Sequence, residues 1–201
     1  MYRKRIVIAT GNAGKLKEIR DLLAPLHIEV IPQSEFELPE VEENGLSFIE
    51  NALIKARHAA HLTGLPAIAD DSGLAVDALL GEPGIYSSRF AGEPGNDSAN
   101  NARLLEDLAE VPASERTARF HCAAVLMTHD RDPAPLVCHA TWEGEILTAP
   151  RGETGFGYDP VFYVPSQQCS AAELTPETKN RLSHRGQAMR QLTSLIQQRY
   201  L

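Results

Sequence analysis

The first two dozen residues constrain the fold most. Arg5 to Thr10 (RIVIAT) is apolar and β-branched and ends at Gly11, the pattern of a buried strand. Gly14 to Leu23 follows at once, with Leu16, Ile19, Leu22 and Leu23 at helical spacing before Pro25. A buried strand that passes through a glycine turn into a helix opens an α/β fold. Ile28 to Ile31 reads as a second strand. Gln33 to Asn44 holds five glutamates and reads as an acidic loop.

The strongest helix signal spans Ser47 to Gly64. Ser47 and Glu50 have capping-box spacing, Phe48, Ile49, Ala52, Leu53 and Ala56 share a face, and Gly64 stands at the C-terminal cap before Pro66. Ala67 to Ala69 is a short strand that Asp70-Asp71 closes, and Leu74 to Leu80 is a helical turn or another short element. Gly81 to Asn96, with four glycines, is an ordered loop. Asp97 or Ser98 caps a helix to about Ala109. Arg119 to Thr128 and Leu136 to Leu147 are two long strands of a hairpin. Val161 to Val164 is a short strand. Thr175-Pro176 starts a helix, Ser183 to Gly186 interrupts it, and a final amphipathic helix carries Ala188, Met189, Leu192, Leu195 and Ile196. Early alternation followed by a strand pair predicts an α/β protein with a mixed sheet.

The chain has 201 residues, room for one domain of at most two lobes. A formal charge of −8 leaves no broad basic footprint for a nucleic-acid backbone. Cys122, Cys138 and Cys169 lack metal-ligand spacing and read as reduced thiols. The N-terminal stretch Met1 to Thr10 has too short an apolar run for a signal peptide, and no run is long enough to cross a membrane. These features predict a cytoplasmic protein.

Four clusters carry possible chemistry. Thr10-Gly11-Asn12-Ala13-Gly14-Lys15 places free N–H groups, a helix dipole and a lysine at one turn. Its glycine spacing is not that of a Walker A loop, and Leu16 stands where that loop has its magnesium-binding hydroxyl. The turn is a phosphate site or a plain strand-to-helix connection with a solvated lysine. Glu42-Glu43 and Asp70-Asp71 offer paired carboxylates that a hard cation would neutralise; otherwise Asp70 or Asp71 caps a turn and the glutamates are solvated. Gly155-Phe156-Gly157-Tyr158-Asp159-Pro160 presents an aromatic ring between glycines, either a stacking platform for a base or a turn with Phe156 or Tyr158 in the core. Lys179 with Ser183-His184-Arg185-Gly186 gathers three basic side chains at a helix break, as ligands for an oxo group or phosphate or as a polar surface. Ser72 is not in a nucleophile elbow.

In this order the motifs resemble the inosine triphosphate pyrophosphatase family, in its bacterial branch. The matching pieces are Ala9 to Asn12 with Gly14-Lys15, Glu42 to Gly45 leading to Phe48 to Ala52, and Ala69 to Leu74. They continue through Pro83 to Ser87 with Arg89, Phe156 to Pro160, and Ser183 to Gly186. The resemblance implies an α/β fold with an elongated central mixed sheet flanked by helices, and two lobes with an active-site cleft between them. It implies a homodimer requiring Mg2+ that converts dITP, ITP and XTP to the monophosphate and pyrophosphate. It places Thr10, Gly11, Asn12, Ala13, Gly14 and Lys15 on the triphosphate, with Asn12 and Lys15 on phosphate oxygens. Asp71 becomes catalytic base and metal contact, and Glu42 the second metal carboxylate, supported by Glu43 and Asp70. Ser72, Phe156, Gly157, Tyr158, Asp159, Lys179, His184 and Arg185 fall in the substrate pocket.

Hypoxanthine and xanthine present a 6-oxo acceptor beside an N–H donor, and adenine reverses both. A pocket of His184, Arg185 and backbone N–H groups aimed at the 6-oxo group would discriminate by roughly 10⁴. The competing expectations are a pyrophosphatase for another base and a non-catalytic nucleotide-binding protein.

Overall fold

The computed structural model describes residues 5–93 and 95–200, and only the backbone of Tyr200. Met1 to Lys4 of the basic N-terminal stretch, and Pro94 of the glycine-rich loop, lie outside the described residues. Seven strands form one mixed sheet in the order β2-β1-β3-β4-β5-β6-β7. They are β1 (Arg5–Ile8), β2 (Glu29–Pro32), β3 (Ala67–Val76), β4 (Thr117–Met127), β5 (Leu136–Ile146), β6 (Phe162–Val164) and β7 (Cys169–Ser170). The helices are α1 (Ala13–Leu23), α2 (Phe48–Thr63), α3 (Asp97–Asp107), α4 (Pro176–Leu182) and α5 (His184–Tyr200). β1 is parallel to β2 and β3, while β6 is antiparallel to β5 and β7.

The chain divides into two compact units. The first comprises Met1–Asp71, Cys122–Ala140 and Arg185–Leu201; the second comprises Ser72–His121 and Thr141–His184. The unit boundaries fall inside β3, β4 and β5 and after the first residue of α5.

Strand periodicity organises the first unit, because successive side chains point to opposite faces of a sheet. Ile6, Ile8, Ile68, Cys122, Ala124 and Leu126 pack with Ile19 and Leu23 of α1 and with Met189, Leu192 and Ile196 of α5. The alternate residues Val7, Ala9, Ala67, Ala69, Ala123, Val125 and Met127 pack with Ala52, Ala56, Ala59 and Ala60 of α2. Short alanine side chains let that helix lie close to the sheet. The ends of α2 follow the predicted capping: Ser47 Oγ accepts from Glu50 N–H at 3.3 Å, and Gly64 closes the helix at φ +65. The second unit has its own core, in which Leu74 and Val76 of β3 meet Phe90, Leu104, Leu108, Phe120, Trp142 and Phe162.

Three departures from the sequence reading have physical causes. β3 does not close at Asp70-Asp71 but runs ten residues to Val76, followed by a short 3₁₀ turn over Asp77–Leu79. Leu74 and Val76 are fully buried in the second core, and that burial holds the chain extended past two aspartates and a glycine. The cap of α3 is Asn96, whose side chain accepts from Ala99 N–H, rather than Asp97 or Ser98. The glycine-rich loop contains a 3₁₀ helix, Gly84–Arg89.

Candidate active site

The turn after β1 is built by its own side chains. Asn12 caps α1: its Oδ1 accepts from Lys15 N–H at 3.0 Å, and its own N–H donates to Thr10 Oγ1 at 3.2 Å. The cap thereby satisfies one of the free N–H groups that a helix start would otherwise offer to an anion. Lys15, one turn in, reaches Asp70 Oδ2 at 3.1 Å.

Asp70 and Asp71 lie mid-strand, so they occupy opposite faces of the sheet. Asp70 shares the face of Ile68, beside α1 and α5. Its Oδ2 receives Lys15 and, at 3.3 Å, Nε of Arg185. Nη1 of Arg185 donates to Glu18 of α1 at 2.6 Å. Asp70 is 2% exposed and Arg185 also 2%. Burial alone would raise the Asp70 carboxyl, but Lys15 and Arg185 outweigh it and hold the group well below its ordinary value. The Oδ1 atom of Asp70 has no hydrogen-bond partner among the described residues. Cys122, on the same face, has its thiol pushed up to about 12 by burial and by Asp70, so it stays protonated and inert.

Asp71 shares the face of α2. Lys55 Nζ donates to Asp71 Oδ1 at 2.8 Å and to Glu43 Oε2 at 3.1 Å, and Asn51 Nδ2 approaches Asp71 Oδ2 at 3.4 Å. Here one ammonium serves two carboxylates. Burial raises the Asp71 carboxyl, and Lys55 lowers it only in part. Burial pulls Lys55 down, yet Asp71, Asp70 and Glu43 together outweigh that and raise it. The shared lysine gains from every anion near it, while each anion receives only a share of one cation.

The second unit holds the glycine-rich loop. Asp159 Oδ2 accepts from Phe156 N–H at 2.8 Å and from Lys179 Nζ at 2.6 Å. The same ammonium sits 4.4 Å from the centre of the Phe156 ring. Gly155 has φ +83, and a side chain there would run into the Asp159 carboxylate, so the tight turn requires glycine. Phe156 is half-buried. Tyr158 takes the core position that the sequence left open: its ring is 4% exposed, and its hydroxyl donates to the Ser87 carbonyl at 2.8 Å. His184 stacks on Phe120, with ring centres 4.7 Å apart and planes at 12°.

The fold therefore gathers the predicted residues differently from their sequence order. Thr10 to Lys15, Glu42, Glu43, Asp70, Asp71 and Arg185 fall in the first unit, and Ser72, Phe156 to Asp159, Lys179 and His184 in the second. Glu42 is exposed, and Glu43 is the glutamate that reaches Lys55. Arg185 turns Nε toward Asp70 and Nη1 toward Glu18. Lys55 and Glu18 escape the sequence reading, and Asn51 enters it only within the Phe48 to Ala52 motif; the fold sets Lys55 and Asn51 against Asp71 and Glu18 against Arg185. Asn51 and Lys55 form a polar i, i+4 pair beside the alanines of α2, the one signal that marks both.

A mixed-sheet α/β fold, with a capped strand-to-helix turn and a strand whose adjacent carboxylates are partnered on opposite faces, defines the class structurally. The chain belongs to the Ham1 family, whose profile matches residues 6–195. It is 60% identical over 189 residues to the dITP/XTP pyrophosphatase of Vibrio parahaemolyticus, covering 94% of each chain. It is 54% identical to the protein of that name from Coxiella burnetii, covering 98% of each. The fold matches a HAM1 protein structure from Coxiella burnetii with TM-score 0.91 over 97% of this chain and 99% of that one, at 54% identity. It matches the Staphylococcus aureus Ham1 protein with TM-score 0.87 at 41% identity, again over 97% and 99%.

Proposed function

We infer that this chain hydrolyses dITP, ITP and XTP between the α and β phosphorus atoms, giving the nucleoside monophosphate and pyrophosphate. The observation that carries the reading is the opposite partnering of Asp70 and Asp71. Asp70 is neutralised by Lys15 and Arg185 and stays ionised. Asp71 is pushed upward and keeps an oxygen with only a long contact to Asn51. A carboxylate poised in this way suits a general base that orients and deprotonates water. Asp70 anchors Lys15 at the start of α1, where its charge serves the phosphate oxygens. Lys55 steadies Asp71.

The donor set also fits magnesium. Asp71 and Glu43 are hard oxygen ligands with one lysine between them, so a negative charge remains to be balanced. Among the described residues no group of three or more His, Cys, Asp or Glu is gathered for a metal, and magnesium commonly takes one or two carboxylates plus substrate phosphates. We propose that Asp71 holds it with Glu42 or Glu43. When bound, the ion neutralises charge on the phosphate oxygens.

On the base side, Phe156 offers a ring backed by Lys179, and His184 stands in an aromatic stack. A homodimer rests on the family resemblance. A cytoplasmic location is supported by three unpaired thiols and by the absence, among the described residues, of a helix able to cross a membrane.

The test is pyrophosphate release from inosine, xanthosine, guanosine, adenosine and cytidine triphosphates, with and without magnesium. Magnesium-dependent release confined largely to the first two is expected. Release from another base alone would overturn the substrate assignment, and no release from any would overturn the enzyme.

A further inference from the structure

We propose that Asp97 and Asn101 of α3 are positioning residues for the base-binding loop, an inference that rests on the nucleotide reading above. Both polar groups of the Gly157 backbone are held by this helix. Gly157 N–H donates to Asp97 Oδ2 at 2.6 Å, and the Gly157 carbonyl accepts from Asn101 Nδ2 at 2.9 Å. Asp97 and Asn101 are one helical turn apart, so they project side by side and grip one residue from its two ends. Gly157 itself has φ +61, a conformation that most side chains avoid. It follows Phe156 directly, so fixing Gly157 fixes the ring.

The neighbouring contacts make the grip rigid. Asn100 accepts from Ala91 N–H at 2.7 Å and donates to the Ser88 carbonyl at 3.2 Å. The loop over residues 88–91 is thereby tied to α3, while Tyr158 ties the Phe156 loop to Ser87. The start of α3 is free for this task because Asn96 supplies the cap and leaves the Asp97 carboxylate available. Asn101 is 8% exposed, and its Oδ1 has no partner among the described residues. A buried acceptor without a donor is unfavourable for the fold alone. Asn101→Leu removes that atom as well as the donor, and Asp97 is exposed, so Asn101→Leu and Asp97→Ala are expected to fold.

Kinetics with inosine triphosphate and inhibition by tripolyphosphate, which has phosphates but no base, test the assignment. Asp97→Ala and Asn101→Leu are expected to raise KM for inosine triphosphate about tenfold with kcat changed by less than about threefold. The inhibition constant for tripolyphosphate is expected to stay within about twofold of wild type. Asp97→Asn, whose amide oxygen still accepts, should restore KM. Asn101→Asp, which has no donor for the Gly157 carbonyl, should behave like Asn101→Leu. Amide exchange over residues 155–159 should quicken in Asp97→Ala and Asn101→Leu and not in Asp97→Asn. An unchanged KM, a parallel loss of tripolyphosphate inhibition or unchanged exchange overturns the proposal. A wild-type protein without turnover would overturn the enzyme reading, and exchange over the loop would still decide the clamp.

Discussion

Burial raises the free energy of an ionised carboxylate wherever it occurs, so the partners on each face of β3 decide the outcome. Asp70 has Lys15 and Arg185, and its folded value lies below its unfolded one. Its contribution to stability is therefore fully present above the ordinary 3.8 and is lost as the pH falls below that value. Asp71 has the opposite sign: its raised value means that its ionised form opposes folding at neutral pH. Asp71→Asn is expected to lower kcat by about 10² or more while the protein still melts cooperatively. Initial rates and thermal scans on one preparation check both. Asp70→Asn is expected to destabilise by about 3–5 kcal/mol at pH 7, because Lys15 and Arg185 lose their shared anion in a dry site. Urea titrations at pH 7 and pH 3 should show the gap from wild type narrowing in acid. In the rate profile, activity should rise with pH as Asp71 deprotonates. Lys55→Met should move that limb to higher pH, because Lys55 is the largest influence lowering Asp71.

Among the elements, β5 and β6 show how a single small residue permits a strand pair. Gly144 lies in β5 where a Cβ would stand 2.5 Å from both the Phe162 ring and the Tyr163 carbonyl oxygen. Phe162 is fully buried and the carbonyl is backbone, so neither has room to yield. Gly144→Ala is expected to cost about 1–3 kcal/mol through overpacking, read from the shift of the urea midpoint at constant slope. Elsewhere the elements follow their local signals. The capping pair of α2, the proline start of α4 and the two long strands β4 and β5 stand where residue patterns place them. β3 is the exception, since its aspartates and glycine disguise a strand whose extension comes from Leu74 and Val76 in a core built by residues as far along the chain as Ala171.

For the molecule as a whole, each unit supplies a different chemistry. The first concentrates carboxylates and cations about β3, and the second holds the glycine loop and its aromatic ring. Adding magnesium with a non-hydrolysable inosine triphosphate should raise the melting temperature, as binding to the folded state requires. At a ligand concentration of about 100 times Kd the gain is about 2.7 kcal/mol. Chelating the magnesium should abolish most of it, and a shift insensitive to chelation would remove the metal from the site.

The sequence by itself determined the strand-to-helix opening, the caps, the mixed α/β class and the positions of most charged candidates. Those properties depend on side chains close together along the chain, where periodicity and hydrogen-bonding chemistry act directly. Only the tertiary structure decided what those charges do. Asp70 and Asp71 were legible as a pair, but their separation onto two faces required β3 to continue beyond them. Lys55, Glu18 and Asn101 looked like ordinary helix polar residues until the fold set them against Asp71, Arg185 and Gly157. Arg185 reads as a basic ligand in the sequence, and only the fold shows that Asp70 and Glu18 are among its partners. Electrostatic roles arise from distances between residues remote in sequence, and packing fixes those distances.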